Sequence, residues 1–265
     1  MRSSGSVDTG MPRRKIAIIA AMEREVKLLV RGWSRRTIEH AGQKYQLFEK
    51  GDAALICGGI GAEAARRAAE AVFGEVNPFR VLSVGFAGAL DDSLEVGAIC
   101  EPRTVVNARD GVRTDCGSGN GLLVSSATVA DQEQKARLAK AYDAVAVDME
   151  AAAVAQAAHA HGLEFGALKA ISDAADFELP AMEGFVASDG TFQSARFAGH
   201  VALRPWLWGS TMALSRNSAM ASRALCAALA DYLGRDFMVQ SDSSVESLVS
   251  AVNQSKVPAS STGSK

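Results

Sequence analysis

Three acids in this chain each follow closely on an apolar run of strand length. Glu25 comes after Ile16–Ala21, Glu150 after Ala144–Val147, and Asp173 after Phe165–Ile171. Each alone has a plain explanation, as a first-turn helix acid favoured by the dipole or as an N-cap. Ligands of open α/β sheets, however, bind at the carboxyl ends of strands. Three acids at such ends, each beside small residues that let a ligand approach, point to one convergent site. There one carboxylate can take a proton while another supplies one. The centre of this reading is Asp148-Met149-Glu150, where a buried strand gives way to the alanine-rich run Glu150–Ala160, a strong helix former.

The elements that must position these acids alternate along the chain. Ile16–Ala21 reads as a strand and Arg24–Gly32 as a helix, with Val26, Leu29 and Val30 on one face. Gln43–Glu49 and Ala53–Gly58 read as a hairpin turning at Lys50-Gly51-Asp52. Gly58-Gly59-Ile60-Gly61 opens a helix, Ala62–Phe73. Such glycines can cradle an anion or simply make a close-packing turn, and G-G-x-G falls short of a dinucleotide fingerprint. Val81–Val84 is a strand ending in Gly85-Phe86-Ala87-Gly88-Ala89, and Ile99–Val106 a strand interrupted at Pro102. Asn107–Asn120 reads as loop, Gly121–Ser126 as strand, Asp131–Ala141 as helix, and Val201–Tyr232 as mainly helical. The order predicts an α/β fold of one domain, with a central mixed, mostly parallel sheet flanked by helices. That domain is expected over residues 13–238, between a disordered Ser/Gly-rich leader, 1–12, and a flexible polar tail, 239–265.

Composition narrows the function. A chain of 265 residues with 48% hydrophobic content can bury one large core. Its net charge of −2, with acids and bases interspersed, leaves no footprint for nucleic acid and no basic stripe for a membrane surface. The apolar run after Met11-Pro-Arg-Arg-Lys15 stops at Glu23-Arg24-Glu25 with no small-residue cleavage site, so it reads as a first strand, not a signal peptide. No stretch is long enough for a membrane span. Cys57, Cys100, Cys116 and Cys226 are scattered without C-x-x-C or metal-ligand spacing, as in a reduced cytoplasmic protein. His159 and His161, two apart on a helix, point away from each other and make a poor metal pair.

The segments Ile16-Ala-Ile-Ile-Ala-Ala-Met22-Glu-Arg-Glu25-Val, Ala146-Val-Asp-Met149-Glu150-Ala and Ala170-Ile-Ser172-Asp173-Ala-Ala-Asp176 together resemble one family. It is the 5′-methylthioadenosine/S-adenosylhomocysteine nucleosidases, within the purine nucleoside phosphorylase/uridine phosphorylase superfamily. The resemblance runs in order from about Lys15 to Asp176. Ala202-Leu-Arg-Pro-Trp206 and Leu214-Ser-Arg-Asn-Ser218 are more similar to the hopanoid-associated phosphorylases of that superfamily.

The resemblance implies a nucleoside phosphorylase-like fold and cleavage of the N-glycosidic bond of a 5′-modified adenosine by water. It assigns Glu25 to activating that water and Glu150 to the ribose hydroxyls, with Met22 and Met149 against the sugar. Asp173, steadied by Ser172, would give a proton or hydrogen bond to purine N7. The chemistry needs these types: the transition state is oxocarbenium-like, so one acid assists the leaving base while another prepares the nucleophile. An acid that donates at neutral pH needs a raised pKa, which a dry purine slot supplies.

Departures from the family pattern concern the pocket walls. Phe86, beside Ala87, stands where the family has serine in a G-S-A-G turn, Val129 replaces the aromatic that stacks on the purine, and Lys169 replaces an arginine. The loop between Val106 and Leu122 is short. Two other readings stay open: a phosphorylase, in its hopanoid-associated form acting on an adenosyl-lipid, and a non-catalytic nucleoside-binding protein. Related phosphorylases carry a G-D-P-x-R loop where this chain has Ala21-Met22-Glu23-Arg24-Glu25, and a carboxylate there repels phosphate. No cofactor is expected, with phosphate a co-substrate only for a phosphorylase. The expected partners are a small-molecule purine nucleoside and a second copy of the chain, in a homodimer using the aromatic-rich stretch Phe185–Trp208.

Overall fold

A computed structural model describes residues 15–177, 183–185, 187, 190–193, 196 and 208–254, with the backbone alone described at 183, 208 and 236–254. The expected leader, the last eleven residues of the expected tail and most of the expected dimer stretch, Trp206 and Phe197 included, lie outside the described residues.

Strand β1 (Ile16–Ala20) is wholly buried, as its unbroken apolar run requires of a strand covered on both faces. A four-residue helix α1 (Glu23–Val26) follows it. The expected helix to Gly32 does not form. After Val26 the chain closes three-residue turns instead, Leu29 N–H to Val26 O at 2.9 Å and Trp33 N–H to Val30 O at 3.0 Å. This keeps Val26 and Val30 buried without a continuous helix. Next come β2 (Ser34–His40), β3 (Gln43–Lys50) and β4 (Ala53–Cys57). The sequence reading has no strand at β2, because of its seven residues only Ile38 is buried. It is a charged edge strand, a common way to keep an open edge from pairing with other chains.

Helix α2 (Ala62–Val76) leads to β5 (Arg80–Ala89), a ten-residue strand more than twice the expected length. Beyond it lie β6 (Ile99–Cys100), β7 (Thr104–Asn107), β8 (Arg113–Asp115) and β9 (Leu122–Ser125). Pro102 separates β6 from β7 as expected. β8 is a three-residue polar edge inside the stretch read as loop. Helix α3 (Gln132–Tyr142), β10 (Ala146–Asp148), α4 (Ala151–Ala160), β11 (Glu164–Asp173) and the long helix α5 (Trp208–Gln254) complete the order. α5 continues through much of the stretch expected as a loose tail. The chain divides into two compact units: residues 1–227, with the sheet and its helices, and residues 228–265, which hold the continuation of α5.

The sheet runs β2-β3-β4-β1-β5-β10-β9-β7-β8, with β11 added on β5 and β6 on β11. It is parallel at its centre, where β1 joins β4 and β5, β5 joins β11, and β9 joins β10 and β7. The margins and the β5–β10 pairing are antiparallel. Alternate residues face opposite sides of a strand. Val105, Leu123 and Ala146 accordingly pack with Ala151 and Ala152 of α4, while Val106, Val124 and Val147 pack with Leu138, Ala139 and Tyr142 of α3. Helices thus cover both faces. α2 lays Ala65, Ala68, Ala69 and Val72 on Ala17, Ile19, Ala54 and Ile56. Small side chains let it come close: a Cβ at Gly58 would meet the Ala68 Cβ at 2.6 Å.

β5 sets the place of the site because it changes partner along its length. Its first half pairs with β1 (Ile16↔Arg80 to Ile19↔Ser83), and its end pairs antiparallel with β10 (Val147↔Gly88, Ala146↔Ala89). The run from Gly85 to Ala89 therefore stays in the strand instead of leaving it. Where the two partners part, a crevice opens at the carboxyl ends of β1, β10 and β11, the position at which open α/β sheets bind ligands.

One buried ion pair ties this region together. Lys169 of β11, 1% exposed, lies 2.8 Å from Asp148 Oδ2 of β10 and donates to Ser83 Oγ at 3.1 Å. Asp148 Oδ1 accepts from Ser125 Oγ at 2.5 Å, and Oδ2 also accepts from the Ala151 N–H at the start of α4. Removing one member of such a pair leaves an uncompensated buried charge, at a cost of about 3–5 kcal/mol. Lys169→Met should lose that much stability in urea denaturation at neutral pH. A loss below about 1 kcal/mol would show that the pair does not hold the strands together.

Candidate active site

The crevice is a cavity of about 650 Å³. All nine side chains singled out in the sequence line it: Met22 and Glu25 from the β1–α1 corner, Phe86 and Ala87 from β5, Val129 before α3, Met149 and Glu150 from the β10–α4 corner, and Ser172 and Asp173 from β11. Short turns between strand and helix are what bring residues so distant in sequence to one rim.

Glu25 is 3% exposed. Its Oε2 accepts from the Met22 N–H at 3.3 Å, and a Cβ on Gly85 would come within 3.1 Å of it. Gly85, at φ +147°, leaves this carboxylate the space it needs. Burial, and next the negative charge of Glu150, push the Glu25 pKa up to about 7, against the pull of the Met22 N–H, Lys169 and Arg24. Ser222 Oγ donates to Glu25 O at 3.0 Å and to Arg24 O at 3.2 Å, so the first part of α5 fixes the backbone that carries the acid.

Glu150, half-buried, lines the same cavity. Its Oε1 accepts from the Gly61 N–H at 2.8 Å and its Oε2 from the Met149 N–H at 3.3 Å. Burial and the nearby Asp148 raise its pKa, against Lys169 and these two N–H groups. The glycine turn before α2 therefore gives the Gly61 N–H to a carboxylate of the chain. Gly59, at φ +101°, packs on the Gly190 backbone, whose carbonyl accepts the Ile60 N–H at 2.8 Å.

Asp173 is 5% exposed and both its oxygens are occupied. Oδ1 accepts from Ser172 Oγ at 2.7 Å, and Oδ2 accepts from Lys135 Nζ at 2.5 Å. Lys135 escapes the sequence reading, since in the Asp131–Ala141 pattern it passes for one of several solvated helix charges. Lys169 is read there only as a replaced arginine, yet it is the one ammonium buried beside Asp148, with Glu150 and Glu25 near enough to act on it. Burial works to lower its pKa, but these three carboxylates outweigh burial and raise it.

The first turns of α5 enter the sequence reading only through the resemblance of Leu214-Ser-Arg-Asn-Ser218, not as site residues. Thr211, Leu214, Ser215, Ser218 and Ser222 line the cavity at helical spacing, and the buried Thr211 Oγ1 has no partner among the described residues. Phe192 reaches the cavity too, with the Arg24 guanidinium 5.7 Å from its ring centre. His161 Nε2 lies 2.8 Å from Glu70 Oε2 and edge-on to Phe73, a local contact away from the cavity. No cluster of His, Cys, Asp and Glu fit for a metal occurs among the described residues. All four cysteines are free thiols, and no helix among the described residues is long and apolar enough to cross a membrane.

Chemically, the cavity holds two mutually repelling acids, Glu25 and Glu150, and an ion-paired acid, Asp173. A family model described as the phosphorylase superfamily matches residues 15–128 and 121–198. A 5′-methylthioadenosine/S-adenosylhomocysteine nucleosidase of Lysinibacillus sphaericus is 28% identical over 204 residues, which cover 62% of this chain and 88% of that protein. The crystal structure of a nucleosidase of the same name from Colwellia psychrerythraea, in complex with adenine, is similar at a TM-score of 0.55 and 25% identity, over 61% of this chain and 83% of that one. The Arabidopsis thaliana 5′-methylthioadenosine nucleosidase in apo form shares the fold at a TM-score of 0.65 and 16% identity, covering 84% and 96%.

The raised pKa of Glu25 has a consequence for stability. Its folded value lies above the usual 4.5, so the folded chain holds this proton more tightly than the unfolded one. Stability falls as pH rises from about 4.5 through about 7, by an order of 3 kcal/mol in all. Glu25→Gln cannot ionise and should escape that fall. Its denaturation midpoint relative to wild type should rise between pH 5 and pH 8 (about the span of the titration). A constant difference across that range would mean that Glu25 does not titrate near neutrality.

Proposed function

This chain belongs to the phosphorylase superfamily, and from that premise we propose that it hydrolyses the N-glycosidic bond of a 5′-substituted adenosine and releases adenine. The observation that carries the reading is Glu25: a carboxylate buried at the end of β1, in a ligand-sized cavity, with its pKa raised to about 7. A base poised there can take a proton from water at neutral pH. The names of the relatives, nucleosidases for 5′-methylthioadenosine and S-adenosylhomocysteine, support the same substrate class.

In this mechanism Glu25 removes a proton from the water that attacks C1′ of the ribose. Glu150, fixed by the Gly61 and Met149 N–H groups, accepts hydrogen bonds from the ribose hydroxyls, and Met22 and Met149 pack on the sugar. The purine lies toward Asp173 and Ser172, with Phe86, Ala87 and Val129 around it. The chemistry calls for no cofactor.

A phosphorylase is the second reading, because Arg24, Lys27 and Arg223 line the same cavity. Against it, a phosphate would have to enter beside Glu25 and Glu150. Two like charges 4 Å apart repel by about 4 kcal/mol at an effective dielectric of about 20. Leu28, Phe192, Leu214 and Ala219 on the cavity wall favour an apolar 5′ group, the feature that an adenosyl-lipid substrate would share. A cytoplasmic homodimer remains part of the proposal.

Adenine release should proceed at the same rate with and without phosphate, and Glu25→Gln should slow it by about 10²–10⁴-fold. Strict dependence on phosphate would make the enzyme a phosphorylase. No adenine release from any 5′-substituted adenosine would leave a nucleoside-binding protein. With two substrates competing in one tube, 5′-alkylthioadenosines should outcompete S-adenosylhomocysteine, whose charged amino-acid end costs several kcal/mol to bury without partners. The reverse preference would sink the apolar-pocket idea alone.

A further inference from the structure

Asp173 faces the cavity as a carboxylate with a donor on each oxygen, Ser172 Oγ on Oδ1 and Lys135 Nζ on Oδ2. An ionised carboxylate accepts hydrogen bonds and has none to give. If Asp173 is to protonate a leaving base, the proton must come from a neighbour.

Lys135 is built for that part. Its side chain is 2% exposed, and lysine is almost never so buried without a specific partner. Nζ donates to Asp173 Oδ2 at 2.5 Å and to Ala174 O at 2.6 Å, two of the three donors an ammonium has. β5 is bare opposite the pair: a Cβ on Gly88 would meet Asp173 Oδ2 at 2.8 Å and Lys135 Cε at 3.1 Å. Lys135 also borders a second crevice, of about 290 Å³, that Asp92, Gln132 and Asp176 line. Lys135 thus lines both the main cavity and a separate crevice with polar and apolar walls. A residue that only braced Asp173 would need neither the second opening nor a place on the cavity wall.

We propose that Lys135 is the proton source of this site, working through Asp173. This rests on the reading of the chain as a glycosidic-bond hydrolase. As the C1′–N9 bond breaks, its electron pair passes to the purine. Asp173 Oδ2 takes a proton from the Lys135 ammonium, and Asp173 passes that proton on to N7. Lys135 is left as a neutral amine and Asp173 as a carboxylate. Solvent in the second crevice then returns a proton to Lys135, and Glu25 releases to solvent the proton it took from the attacking water, so that the two exchanges cancel and both groups are restored. Atoms and charge balance, and the products are adenine and the free sugar.

The test compares Lys135→Met and Lys135→Arg with wild type on two substrates. One is 5′-methylthioadenosine. The other is the 4-nitrophenyl glycoside of the same 5-methylthioribose, whose phenolate leaves without a proton. Arginine keeps the positive charge beside Asp173 but does not release a proton in proteins. Both variants should lose about 10²–10⁴-fold in kcat on the nucleoside, with KM changed far less, and stay near wild type on the aryl glycoside. Wild-type turnover of the nucleoside is the internal control, since its absence would count against the hydrolase reading and not against Lys135. Given that turnover, the proposal falls if Lys135→Arg keeps near-normal kcat on 5′-methylthioadenosine. It falls equally if the two substrates lose rate in parallel, which is what a bracing role would give. Should Lys135→Met fail to fold, Lys135→Arg carries both comparisons.

Discussion

The buried ammonium of Lys169 is the constraint on which the rest of the site depends. Three carboxylates, Asp148, Glu25 and Glu150, crowd the ends of β1 and β10, and all three act on this one cation or are acted on by it. Asp148 takes the direct contact at 2.8 Å, which leaves Glu25 and Glu150 only its longer-range field. Isolated charges in such surroundings are costly unless paired. The under-compensated pair answers by holding a proton more tightly, and Glu25 is driven toward neutrality. Glu25 therefore holds its proton because it is buried and beside Glu150, with Lys169 already committed to Asp148.

β5 separates two such arrangements. On it, Gly85 leaves room for Glu25, with Lys169 Nζ 3.9 Å from where its Cβ would stand, and Gly88 leaves room for Asp173 and Lys135. Two glycines three residues apart thus each face an acid with a buried lysine beside it. An alanine at either position would press on a carboxylate oxygen at 3.1 Å or less. The strand's change of partner from β1 to β10 makes both approaches possible, because β1 delivers Glu25 while β10 and β11 deliver Glu150 and Asp173. Fold and chemistry meet in the backbone of one strand.

The acids were legible in the sequence because each announces itself twice, by type and by place after an apolar run. The central strands were legible for the same reason that they are buried. What escaped was legible only in three dimensions. β2 and β8 are edges with almost no apolar content, so no alternation marks them. β5 was read too short because Gly85 and Gly88 look like a strand end, while their real office is to stay within the strand and carry no side chain. Lys135 hides in an α3 pattern of alternating charges whose other members are solvated, and nothing in its neighbours tells that Asp173 will be laid against it. Lys169 lies inside an apolar strand, where a charge is a signal, but its partners Asp148 and Ser83 are far away in sequence. Residues that interact through tertiary contact alone leave no local trace.

The two halves of the site also account for each other's protons. The proposed hydrolysis would take one proton from water on the Glu25 side and need one for the leaving purine on the Asp173 side. The strand between them offers no side chain at Gly85 or Gly88 to carry a proton across. Each side must therefore exchange its proton with solvent, and each has the means. Glu25, with a pKa of about 7, gives its proton up at neutral pH about as readily as it takes it. An unperturbed glutamate would be a weaker base by more than two orders of magnitude. On the other side Lys135 borders a crevice of its own. The same burial that makes the fold costly here brings Glu25 to the edge of neutrality.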